Sequence, residues 1–360
     1  MVVEVAEAVS KKAARVFNSF PRVIYRNFYQ APDFPVLDRS RAGFDPFFAA
    51  VEAMPFLALK GGRVAGRIAA GFHRDYPGGE TGFFGYFESL NDCAVARALL
   101  DTAAGWLAAR GKNKMIGPVD LTPHERLGLL VEGFRERRFP GMPYNPPYYQ
   151  SLMTGCGLEP EVNLFTYRFD LRGRLPDKLY RVAARASRVK EVRIRQVNFH
   201  DPEGEGKILS LIHNGAMNKM WGFTPLSPEE GAAVLCRLRG LYDPGLILLA
   251  ERSGEPAALC LGLYPLGRSP FAGGSGRFTG RLAVLAVLPE YRFKGLETIL
   301  ILELTGRARS RGVSALEISQ VVENNIMMNR ILHNLPGVHK TGVHKIYRHM
   351  SICNNFIIKK

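Results

Sequence analysis

The sequence is short of acid. Its 33 Asp and Glu stand against 48 Lys and Arg, a formal charge of +15 at neutral pH. Such a surplus points to anionic partners: coenzyme A thioesters, acidic carrier proteins, phospholipid surfaces or nucleic acid. Nucleic acid is the least supported, because the cations are scattered and no recognised nucleic-acid-binding motif accompanies them. Apolar runs are short too, none reaching the ~18 residues of a spanning helix. The opening MVVEVAEAVSKKAARVFNSF carries acid early and has no continuous apolar core, so it does not read as a secretion signal. Five cysteines, Cys93, Cys156, Cys236, Cys260 and Cys353, are scattered without a C-x-x-C pair. Neither they nor the eight histidines stand at metal-ligand spacing. Reduced core thiols, no metal and a cytoplasmic location are the expectations. Low-complexity sequence is absent, and 46% apolar with 22% charged residues over 360 positions suits about two folded domains.

What is present is concentrated between Arg281 and Arg311. Seven apolar residues, Leu282 to Leu288, read as a strand buried on both faces, and Pro289 ends it. Tyr291-Arg292-Phe293-Lys294-Gly295 makes a basic turn. Leu296, Ile299, Leu300, Leu302 and Leu304 then recur at helical spacing. A strand thus feeds a helix through a loop with exposed amides. Such a helix N-terminus carries about half a positive charge and unpaired N–H groups, a seat for phosphate. Gly295 lets backbone approach a ligand, and Arg292 and Lys294 add full charges.

Along the rest of the chain, residues 4–18 predict a helix with valines on one side and lysines towards the other, for solvent or for a peripheral membrane contact. A Pro- and aromatic-rich passage runs to Pro46. Apolar runs flank Gly61-Gly62, a hairpin signal. A strand over 81–87, a helix from Cys93 to Arg110 capped at Asn91-Asp92, and a short strand over 115–118 come next. Pro143-Tyr144-Asn145-Pro146-Pro147-Tyr148-Tyr149 makes a rigid connection, and a strand over 163–171 closes the first half near Arg172-Gly173. The second half repeats the plan. It has a basic helix over 179–189, a strand over 192–197, a helix over 204–220 carrying His213, and a capping box at Ser227 and Glu230. A hairpin about Ser253-Gly254, a flexible Gly/Ser-rich loop over 266–280, the central strand and helix, a strand from Ala315, a helix over 324–335 and a strand over 343–347 complete it. The fold class is α/β (α+β): two domains, 1–172 and 173–360, each a mixed twisted sheet flanked by helices.

Arg292-Phe293-Lys294-Gly295-Leu296-Glu297 resembles the coenzyme A pyrophosphate loop of the GNAT acyltransferases, Arg/Gln-x-x-Gly-x-Gly/Ala. The departure is Glu297, which would crowd and repel a pyrophosphate. The first half has the same element order but Glu88-Ser89-Leu90-Asn91-Asp92 in place of that loop. It is therefore expected to be a degenerate domain without donor binding. Phe83-Phe84-Gly85-Tyr86-Phe87-Glu88, Gly117-Pro118, the run Gly128 to Phe134, Tyr144 to Tyr149, Trp221 to Pro225 and Glu323-Asn324-Asn325 together resemble a bacterial two-domain GNAT-like family. Bacterial ceramide synthases are built on a similar scaffold.

The resemblance implies acetyl-CoA or a longer acyl-CoA as co-substrate and an amine acceptor, lipid-like acceptors being within range. It implies direct acyl transfer. The amides of Lys294, Gly295, Leu296 and Glu297, with Arg292, would hold the pyrophosphate. Leu285 to Val287 would pair with the pantetheine arm, and Asn325 would touch the donor or simply cap its helix. The tyrosine that customarily protonates the thiolate is replaced by Leu332. Tyr347 is the substitute acid, and Glu317 and Glu323 are the candidate bases. His213 reads as structural. A second reading is a catalytically silent GNAT-fold module that binds acyl donor or lipid, suggested by Glu297 and Leu332.

Overall fold

The structure, a computed structural model, describes residues 2–26, 37, 46–187, 192–267 and 279–350. It forms two compact units, 1–164 with 342–360, and 165–341. The chain crosses between them twice, where the sequence reading has one boundary near 172, because the last strand begins in the second unit and ends in the first. Most of the Gly/Ser-rich loop and of the passage before Pro46 lie outside the described residues.

The first unit opens with β1 (Val3–Glu7) and the helices α1 (Lys11–Ser19), α2 (Pro21–Ile24) and α3 (Pro46–Ala49). The strands β2 (Val51–Lys60), β3 (Arg63–His73) and β4 (Thr81–Ser89) lead to α4 (Cys93–Ala108) and β5 (Lys114–Gly117). Then come β6 (Leu129–Glu132), α5 (Tyr149–Gly155) and β7 (Glu159–Asp170), whose second half belongs to the other unit. The helix predicted over 4–18 starts only at Lys11. Val3 and Val5 alternate with Glu4 and pair with the edge of β2 from Lys60 to Ala58, a period-2, β-branched pattern that wins over the helical one. Ser10 caps α1 by accepting from the Ala13 amide. The sheet runs β1-β2-β3-β4-β5, antiparallel until β4, which is parallel to β5. Asp92 caps α4, whose Leu99 and Leu107 lie over Gly66 and Gly82 with no room there for a side chain. Burying such a leucine contributes about 2 kcal/mol.

The second unit contains α6 (Asp177–Ser187), β8 (Val192–Gln196), α7 (Pro202–Met217), α8 (Pro228–Leu238), β9 (Ile247–Arg252), β10 (Glu255–Leu263) and β11 (Thr279–Val287). It continues with α9 (Leu296–Ser310), β12 (Ala315–Val322), α10 (Ile326–Asn334) and β13 (Val338–Met350). Strand order is β7-β12-β11-β10-β9-β8, with β11 and β12 parallel and the pairs from β11 to β8 antiparallel. Leu296, Leu300, Leu304 and Ala308 form the buried stripe of α9, every fourth residue. The capping box of α8 is present at Ser227 and Glu230. From Gly342, β13 lies in the first unit, antiparallel to β5 at Tyr347↔Gly117 and to β6 at Lys345↔Leu129.

Candidate functional site

The site forms where β11 leaves its parallel neighbour. β11 and β12 pair only from Thr279↔Ala315 to Leu282↔Ile318. From Ala283 onward β11 keeps its partner β10, through Val287↔Ala258, but among the described residues no ladder continues on its β12 side. Ala283, Val284, Leu285 and Val287 are accordingly half-buried, and the strand expected to be covered on both faces has an open edge. Strand N–H and C=O groups that no neighbouring strand pairs can take an extended ligand as they would another strand.

At the base of the opening Arg281 donates to Ser319 Oγ and to the Ser319 carbonyl, both at 3.0 Å. Ser319 Oγ donates to Glu317 Oε1 at 2.7 Å. Burial pulls the Arg281 pKa down, and the Glu317 charge opposes that. Glu317 is thus a buried carboxylate engaged in holding the two strands together, a different occupation from that of a free base. Glu323, just beyond β12, is half-buried. Asn325 caps α10 by accepting from the Met328 amide at 3.2 Å.

After Leu288 the chain turns through Pro289–Tyr291 and enters α9 at Gly295, which has φ 80. A Cβ there would lie 2.9 Å from Ala186 Cβ of α6, so glycine is required both by its left-handed backbone and by helix packing. Phe293 shares the left-handed conformation, φ 60, and is 81% exposed. Arg292 reaches backwards, donating from Nε to the Val287 carbonyl at 3.2 Å and from Nη2 to the Ala216 carbonyl at 2.7 Å. It braces the turn. The residues that sequence reasoning missed are Arg185 and Arg252. With Lys294 they line a cavity of about 390 Å³ beside Gly295 and Leu296. Three cations and a helix N-terminus on one cavity make an anion seat. No local motif marks Arg185 or Arg252, since α6 and β9 bring them there from distant sequence. Glu297 stands in the first turn of α9 with Oε2 buried and without a hydrogen-bond partner.

Tyr347 belongs to the first unit, whereas Glu317 and Glu323 belong to the second. It is 1% exposed in the apolar core of the first unit, where burial pushes its phenol up to about 12. Tyr167, which the sequence marks only as part of a closing strand, lies on the half of β7 inside the second unit. Its hydroxyl donates to Asn329 Oδ1 of α10 at 2.9 Å, one turn before Leu332. His213 stacks on Phe223 and bonds Asn214, which ties Leu226 through two hydrogen bonds, a structural role.

Residues 216–331 match the acetyltransferase (GNAT) family, a span that covers the open strand, the turn, α9 and the start of α10. Over 329 residues the chain is 30% identical to a bacterial ceramide synthase of Caulobacter vibrioides, covering 84% of each. The chain belongs to the GNAT acyltransferases. Its kin are bacterial tandem GNAT-like proteins. It is also 28% identical over 356 residues to Protein YghO of Escherichia coli K12, covering 91% of this chain and 90% of that one. A tandem GNAT protein from the clavulanic acid biosynthesis pathway shares the fold at a TM-score of 0.56 and 13% identity, covering 97% of this chain and 99% of that one. GNAT proteins are transferases that use acyl-CoA, and this chain is a GNAT-type acyltransferase. No described helix is long and apolar enough to cross a membrane.

Proposed function

We propose that the protein moves an acyl group from acyl-CoA directly to the amine of a lipid-like acceptor, with the donor held by the second unit. The observation that carries this is the open edge of β11 leading into a basic cavity at the start of α9. In this reading the pantetheine arm lies along Leu285 to Val287. The pyrophosphate meets the amides of Lys294 to Glu297, with Lys294, Arg185 and Arg252 supplying charge, and Arg292 acts mainly by fixing the turn. The amine nitrogen attacks the thioester carbon, the C–S bond breaks and coenzyme A leaves as thiolate. Rate comes from orientation and from a strand amide beside Val287 polarising the carbonyl. Glu323 takes the amine's proton, being the less buried of the two carboxylates. Tyr167 or water returns a proton to sulfur, since Tyr347 is in the core of the other unit.

A lipid-like amine is supported by the relative named a bacterial ceramide synthase. It is supported also by α10, where Ile326, Met327 and Ile331 are 71%, 56% and 48% exposed around Arg330. An apolar face with a cation suits peripheral contact with an anionic lipid surface. The first unit is in this reading a degenerate GNAT domain that binds no donor. The silent-module alternative has Glu297 in its favour, a carboxylate where phosphate would sit. One experiment separates the readings: radiolabelled acyl-CoA with and without a panel of long-chain amines. Label is expected in an amide product and not on the denatured chain. Stoichiometric label on protein would contradict direct transfer, and no product from any amine would favour the silent module.

A further inference from the structure

Two cysteines that stand 63 positions apart in the chain meet in the first unit. Cys93 is the first residue of α4 and is exposed, whereas Cys156 follows the last residue of α5 and is buried. Cys156 Sγ donates to the Cys93 carbonyl at 3.9 Å, and the two thiols are in hydrogen-bond contact. A Cβ placed on Gly155, the residue before Cys156, would stand 3.6 Å from Cys93 Sγ. Arg97, one turn further along α4, donates from Nη2 to the Gly155 carbonyl at 2.5 Å and so pins the end of α5 to the start of α4. The meeting of the two sulfurs is therefore set by how the helices pack.

An accessible thiol thus sits over a sheltered one. Burial, and then the Cys93 neighbour, push the Cys156 thiol up to about 12, with the Arg97 guanidinium opposing. Cys156 is by itself a poor target, and an oxidant from solvent meets Cys93 first. We propose that Cys93 and Cys156 form a site of oxidative modification, at which a disulfide oxidant of the glutathione class links the two sulfurs and staples α4 to α5. The Cys93 thiolate attacks the S–S bond of the oxidant, forming a mixed disulfide and releasing one thiolate. The Cys156 sulfur, its proton passing to solvent, then attacks Cys93 Sγ and expels the second thiolate. Two protein thiols are oxidised and one oxidant disulfide is reduced to two thiols. Contact between the sulfurs offsets the weak nucleophilicity of Cys156. The bond would close a ring across 63 positions and remove chain freedom from the unfolded state. It would also fix α5, whose Tyr149 hydroxyl donates to Glu88 Oε2 at 2.7 Å beside the buried partner Arg67. The site lies wholly in the first unit and does not depend on where the acyl donor binds.

The test treats the full chain with oxidised glutathione, then alkylates, digests and weighs the peptides by mass spectrometry, with a urea-unfolded sample in parallel. A linked Cys93–Cys156 peptide is expected from the native chain, at a yield at least about tenfold above that in urea. The linked chain should melt several degrees above the same sample after reduction. Cys156→Ser should stop Cys93 at the mixed disulfide with glutathione. If that variant fails to fold, Cys93→Ser, at an exposed position, should leave Cys156 reduced under the same treatment. A mixed disulfide as the end product in the wild type, equal linkage in urea, a linked chain that melts no higher than the reduced one, or Cys156 modified as readily in Cys93→Ser would each overturn the proposal. Each would leave the donor reading of the second unit standing.

Discussion

Both units build a strand, a helix and a parallel strand, and they part company after the first few paired residues. In the first unit β4 and β5 pair from Thr81↔Lys114 to Phe83↔Ile116, and the chain then stays beside β4. The Val119 amide donates to the Phe84 carbonyl at 2.8 Å and Asp120 Oδ1 accepts from the Tyr86 amide at 2.7 Å. In the second unit the matching edge of β11 is left open after Leu282. The first unit has filled with its own backbone the edge that the second leaves unpaired, the groove that in our proposal takes the extended donor. A single scaffold therefore gives either a filled edge or an open one, and the difference lies in a few residues after the second parallel strand.

The sharpest way to break this comparison is at Gly85. A Cβ there would stand 2.1 Å from the Val119 carbonyl oxygen and 2.8 Å from Asp120 Cα, so the plug and a side chain cannot coexist. Gly85→Ala should cost about 3 kcal/mol, read as a lowered denaturation midpoint. A midpoint like the wild type's would show the plug to be loosely held. A smaller effect is expected in the open unit. Arg252→Ala should weaken coenzyme A by about tenfold, or about 1.4 kcal/mol, with the denaturation midpoint unchanged. Calorimetry beside a melting curve checks both halves of that statement. Arg292 is a poorer probe, because its loss frees two backbone carbonyls and disturbs the turn as well.

The smallest effect concerns pH. Glu88 has a folded pKa above its ordinary value of 4.5, mainly through burial. Its contribution is fully present below the ordinary value and is lost as pH rises through the folded one. The stability gap between wild type and Glu88→Gln should therefore narrow with rising pH, followed by urea unfolding at several pH values. A gap that widens would mean that Arg67 outweighs desolvation.

Local features were legible in the sequence because their causes are local. The Gly61-Gly62 hairpin, the Asp92 cap and the Ser227 capping box all arise from residues within a turn of one another. The basic turn and its helix were legible for the same reason. What escaped depends on distant partners. Val3 and Val5 become a strand because β2 offers an edge. Tyr347 belongs to the first unit because β13 passes between units at Gly342, and no residue there marks the crossing. Arg185 and Arg252 come to the cavity from α6 and β9, and the open edge of β11 exists only because β12 stops pairing at Ile318.

The central claim is that one unit accepts the donor and the other excludes it. Amide hydrogen exchange with and without coenzyme A, together with calorimetric stoichiometry, tests it most directly. One coenzyme A per chain is predicted, with protection gained at 285–287 and 294–297 and none gained at 84–88. Two equivalents bound, or protection appearing along β4, would contradict it.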